Sequence, residues 1–171
     1  MSRKLFTIVL SAIPFFVSFA TAQDKPVILA PGCGAQGVKF EVKTQKDRER
    51  PPQPEAGKAL VYFIQDDSDF SKLPRPTTRM GIDGKWVGAT HANSYSYFSV
   101  YPGVRHLCAS WQPTDLDHGT AALHFLAEAG GIYFFTVKNR VTSISFVPSD
   151  SDEGQFLINR LALSKIGRAH V

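Results

Sequence analysis

Residues 94–112 read SYSYFSVYPGVRHLCASWQ, two β-prone runs either side of Pro102-Gly103. In the first run Tyr95, Tyr97 and Ser99 alternate with Ser96, Phe98 and Val100. That period of two puts successive side chains on opposite faces of a strand. Proline followed by glycine turns the chain, and Val104 to Gln112 returns as a second strand.

The same pattern extends in both directions. Upstream, residues 78–82 and 85–88 flank Asp83-Gly84, a pair suited to a two-residue type I′ hairpin turn in which both residues take positive φ. Residues 59–65 (ALVYFIQ) are almost entirely apolar, which predicts a central strand covered on both faces. Residues 37–44 (GVKFEVKT) alternate again and read as a half-buried strand, and the charged, proline-rich residues 45–57 read as a surface linker. Downstream, residues 120–127, 132–137 and 142–147 supply three more strands, with Gly130-Gly131 between the first two. Pro148 is expected to stop the last of them, and Ser149 to Asp152 (SDSD) to cap a helix carrying Phe156, Leu157, Arg160 and Leu161, with Gly154 a mild defect. The expectation is an all-β domain over residues 58–165, an antiparallel β-sandwich of about seven or eight strands with one short C-terminal helix. Residues 23–57 form an arm, one strand and a linker ahead of it.

The chain opens with Arg3 and Lys4, then an uncharged apolar run over residues 5–20, then Ala20-Thr21-Ala22. This is the layout of a signal peptide cleaved before Gln23. Sixteen residues broken by Pro14 are short for a membrane span, which needs about 20. Cys33, in Leu29-Ala30-Pro31-Gly32-Cys33, suggests a lipid anchor, but Asp24 and Lys25 separate it from the apolar core and Pro31 disturbs the usual motif. The reading is therefore a periplasmic or secreted protein with no membrane span after cleavage. At the other end, residues 166–171 (IGRAHV) resemble one reading frame of a sequencing adapter and are read as a non-native tail.

The formal charge is +4 from 19 Lys and Arg against 15 Asp and Glu; without Arg3 and Lys4 it is +2, and without Arg168 it is +1. No basic stripe interleaved with aromatics is present, so nucleic acid is not an expected partner. In an oxidising compartment the two cysteines, Cys33 and Cys108, are read most simply as a disulfide.

Candidate sites are few. Trp86, Tyr95, Tyr97 and Tyr101 would form an aromatic ligand face for peptide or sugar if exposed, and ordinary core if not. His106 and Cys108 share a strand face, but no second pair at ligand spacing marks a metal site, and no metal or other cofactor is expected. Asp66, Asp67 and Asp69 lack the EF-hand pattern and read as a solvated loop. No nucleophile elbow of the form Gly-x-Ser-x-Gly occurs. If the protein were a small periplasmic enzyme or metal-binding protein, His106, His124, Asp83 and Glu128 would be its candidates.

Four motifs in order, ALVYFI at 59–64, IDGKWVG at 82–88, YPGVRHL at 101–107 and AEAGGIYF at 127–134, resemble a bacterial family of exported domains of unknown function. They are also distantly similar to the envelope modules called PEGA domains. The resemblance implies a small β-sandwich in the cell envelope and brings no catalytic residues. The leading expectation is a non-catalytic envelope module that binds protein, peptide or glycan; the other alternative is a purely structural envelope component.

Overall fold

The computed structural model describes residues 33–35, 37–46, 52–67, 75–112, 119–140 and 143–170, the last three by backbone alone. The leader and its cleavage point before Gln23 lie outside these residues, as do Asp69 and His118. Ten strands and one helix occur among the described residues. They are β1 (Lys39–Gln45), β2 (Ala59–Gln65), β3 (Thr77–Ile82), β4 (Lys85–His91), β5 (Ser94–Val100), β6 (Gly103–Gln112), β7 (Thr120–Ala127), β8 (Ile132–Arg140), β9 (Ser143–Ser149), α1 (Ser151–Arg160) and β10 (Ala162–His170). A six-stranded sheet has the order β1-β10-β5-β2-β8-β9, and a four-stranded sheet the order β4-β3-β6-β7.

The all-β class stands, and three details are corrected. The strand count is ten rather than seven or eight, because β1 and β10 both enter the larger sheet, paired antiparallel from Lys39↔His170 to Gln45↔Leu163. The larger sheet is mixed rather than antiparallel: β2 runs parallel to β8, and β10 is parallel to β5. Pro102-Gly103 does not close a hairpin. β5 belongs to the six-stranded sheet and β6 to the four-stranded one, so this turn carries the chain between sheets.

Burial explains the layering. Every residue of β2 is buried, as its near-continuous apolar run requires. Val61 and Phe63 meet Met80, Ile82 and Leu107 of the smaller sheet in the inter-sheet core. Leu60, Tyr62 and Ile64 point the other way, into a second cluster with Tyr95, Phe134, Leu157 and Ile158. The helix α1 thus covers the outer face of the larger sheet, giving helix on sheet on sheet rather than a plain sandwich. Full burial of each large apolar side chain stabilises the fold by about 1.5–3 kcal/mol.

Local signals place the punctuation. Asp83 and Gly84 have φ of 51° and 78°, as a type I′ turn demands. Asp150 caps α1 by accepting the Glu153 amide at 2.8 Å. Pro148 does not stop β9 but sits within it, opposite Phe135; β9 is an edge strand, where a missing N–H breaks no ladder.

Gly154 is no defect. A Cβ at this position would clash with the Phe134 ring, so its bareness lets the helix approach the sheet. Gly154→Ala would gain roughly 1 kcal/mol of helix propensity and lose about 1–3 kcal/mol to overpacking. A net loss of about 1 kcal/mol is expected in urea denaturation, against the direction that propensity alone dictates.

Candidate functional site: the outer face of the four-stranded sheet

Strand alternation decides which side chains of β6 and β7 face outward. Leu107 and Ala109 enter the core, so Val104, His106, Cys108 and Ser110 occupy the opposite face. On β7, Ala121 and Ala127 are buried, which turns Thr120, Ala122, His124 and Leu126 outward. Antiparallel register then pairs like with like: Val104↔Leu126, His106↔His124, Cys108↔Ala122 and Ser110↔Thr120.

Part of this face is covered by the N-terminal arm. Cys33 and Cys108 form a disulfide across 75 residues, with Cα atoms 5.4 Å apart. The Trp86 indole donates to the Ala35 carbonyl at 2.8 Å, and the Arg79 guanidinium lies 4.5 Å from the centre of the Trp86 ring. Arg79 also donates to the Val38 carbonyl at 3.1 Å and to Ser110 Oγ at 3.3 Å. Gln112 extends this seam by pairing both backbone groups of Phe40, each at 2.9 Å. Burial lowers the affinity of Arg79 for its proton, and among the described residues its Nε has no hydrogen-bond partner. Stacking on Trp86 offsets part of that desolvation.

Beyond the arm the face is open. Val104 is 70% exposed and Leu126 59%, two large apolar side chains directly opposed on neighbouring strands. Beside them the His106 and His124 rings lie with centroids 4.5 Å apart and planes tilted by 31°. One end of the hairpin is rigidly anchored. Asp83 Oδ1 accepts the His106 amide at 3.0 Å, and Oδ2 accepts Arg105 Nη1 at 2.8 Å. Arg105 in turn donates to the carbonyls of Tyr101 and Pro102, both at 2.7 Å. Partial desolvation pushes the Asp83 carboxyl up, but the His106 amide and the Arg105 guanidinium outweigh it and hold the group below the ordinary aspartate value.

The four aromatic residues expected to share a ligand face fall in three places. Trp86 packs under the arm. Tyr95 is buried and Tyr97 half-buried, both against Tyr62 beneath the helix-covered face, with ring centroids 6.1 and 5.7 Å away. Tyr101 is exposed at the inter-sheet turn, with the Lys58 ammonium 5.2 Å from its ring centre. Of the polar candidates, His106 and His124 come together and Asp83 lies close by. Among the described residues no hydrogen bond joins either imidazole to Asp83 or Glu128; the Glu128 amide donates to the Tyr133 hydroxyl at 2.9 Å. Sequence reading missed the Val104–Leu126 pair, although its signal was present: each stands at opposite parity to the core residues beside it.

Among the described residues, no group of three or more His, Cys, Asp or Glu side chains converges as a metal cage, and no helix is long and apolar enough to cross a membrane. No protein-family model matches the chain, and no curated protein matches it.

Proposed function

We propose that this protein is a non-catalytic module of the bacterial cell envelope, periplasmic or secreted, that binds a protein or peptide through the outer face of the β6–β7 hairpin. The observation that carries the reading is the opposed, exposed pair Val104 and Leu126. Solvent-exposed apolar side chains contiguous on a rigid sheet mark interaction surfaces more often than singly scattered ones do. The neighbouring half of the sheet is stapled by Cys33–Cys108, so the face is preorganised and loses little entropy on binding. A disulfide suits an oxidising compartment, in keeping with the leader read at residues 1–22 and with the resemblance to exported envelope domains.

A photo-crosslinking residue at position 104, expressed in the envelope, tests the reading. A discrete crosslinked product is expected, reduced about tenfold or more when Leu126→Lys is added. The same crosslinker at Phe156, also exposed but on α1, is expected to give no such product. Equal yields from positions 104 and 156, or indifference to Leu126→Lys, would overturn the reading. A crosslinked product of twice the chain mass would instead place the contact between two copies, through the edge strand β7.

A further inference from the structure

We propose that His106 and His124 form a two-imidazole site for a divalent late-transition-metal ion, copper(II) ahead of nickel(II) and zinc(II). Such a site needs no protein partner. The two residues are direct antiparallel partners, a placement that sets their Cβ atoms about 4.5–5.5 Å apart. Imidazole nitrogen binds such ions at about 2.0–2.1 Å, so the ring centre stands roughly 3.2 Å from the metal. Two imidazoles meeting one ion at a right angle then have centroids about 4.5 Å apart. The observed separation is 4.5 Å.

The surroundings leave this pair available. Among the described residues no hydrogen bond or ion pair engages either ring; the two rings contact each other. His124 is exposed and His106 half-buried, which leaves the solvent side open for the waters that complete the coordination sphere. The flanking pairs Val104↔Leu126 and Cys108↔Ala122 bring no further ligand, since Cys108 is committed to its disulfide. Asp83 is not a ligand either, both its oxygens being taken by Arg105 and the His106 amide. Two neutral imidazoles and water suit copper(II) best in the ordinary affinity order of divalent ions. Magnesium and calcium prefer oxygen ligands and do not suit the pair.

The test is titration of the untagged mature protein with copper(II) sulfate in a non-coordinating buffer, followed by calorimetry and electron paramagnetic resonance. One ion per chain is expected, with hyperfine coupling to two nitrogens. His106→Ala and His124→Ala should each weaken binding by at least about tenfold, because a two-point attachment becomes a single one. Each should also remove one nitrogen coupling. A His91→Ala/His118→Ala/His170→Ala triple variant should bind as the wild type does, and copper should raise the wild-type unfolding temperature but not that of His124→Ala. Unchanged affinity in either single variant, loss of binding in the triple variant, or no stoichiometric binding at millimolar copper would overturn the proposal. Leu126→Lys keeps both imidazoles, so loss of a protein partner and loss of the metal are separable outcomes.

Discussion

Cys33→Ala/Cys108→Ala is expected to lower the free energy of unfolding by about 4 kcal/mol, the loop-closure entropy of a cross-link spanning 75 residues. Alanine is the informative replacement because Cys108 is fully buried. A serine there would add an unsatisfied hydroxyl to the effect. Domains are stable by about 5–15 kcal/mol, so the loss is a large fraction of the whole. Urea denaturation with and without reductant measures it: the wild type should fall to the level of the double variant on reduction, and the variant should not respond. A reduction effect below about 1 kcal/mol would mean that the Trp86–Ala35 and Arg79–Val38 contacts hold the arm unaided. The consequence for function is local. Release of the arm uncovers the β4–β3–β6 half of the sheet, and the open half at Val104 and His106 loses its rigid neighbour.

What the sequence made legible was face and punctuation. Alternation in β5, the apolar run of β2, the Asp83-Gly84 turn, the cap at Asp150 and the cysteine pair are local patterns, and each appears in the structure. Neighbours were not legible. A period of two says that Tyr95 and Tyr97 share a face, yet nothing near them says that α1, more than fifty residues on, covers it. Likewise Pro102-Gly103 announces a reversal without saying whether the next strand joins the same sheet. The parallel pairing of β2 with β8 and the insertion of β10 between β1 and β5 are long-range closures with no local trace. Intrinsic preference makes Pro148 a stop and Gly154 a defect. An edge position and the Phe134 ring set their actual roles. The site follows the same logic: His106 and His124 could be named as candidates, but only register makes them a pair.

Asp67 is the sharpest departure from the sequence reading, and its substitution carries the second large expected effect. The Asp66–Asp69 stretch read as a solvated loop, yet Asp67 is 1% exposed. Its carboxylate accepts Gln65 Nε2 at 2.5 Å and Asn139 Nδ2 at 3.0 Å, and its amide donates to Asn93 Oδ1 at 2.8 Å. Thr90 and Trp111 complete the network through Gln65 and Asn139. Asp67→Ala removes one acceptor from each of two buried amide groups, while the Gln65 amide keeps the Pro76 carbonyl and the Asn139 amide keeps Thr78 Oγ1. At about 1–3 kcal/mol for each N–H left over, a loss of about 3 kcal/mol is expected. The loss should also depend on pH. Burial pushes this carboxyl up, and its hydrogen bonds to Gln65 and Asn139 only partly pull it back. An acid whose folded pKa is raised binds its proton more tightly in the folded state, so its contribution to stability is complete below the ordinary aspartate range. That contribution is lost as pH rises through the raised value. The gap between wild type and Asp67→Ala should therefore be wider at about pH 4 than at about pH 7. A gap that narrows on acidification would mean that the network holds the ionised form, its hydrogen bonds outweighing desolvation. The network meets β6 at Trp111, five residues or about 17 Å along the strand from His106. Asp67→Ala should accordingly weaken the fold while leaving copper affinity of the folded fraction unchanged.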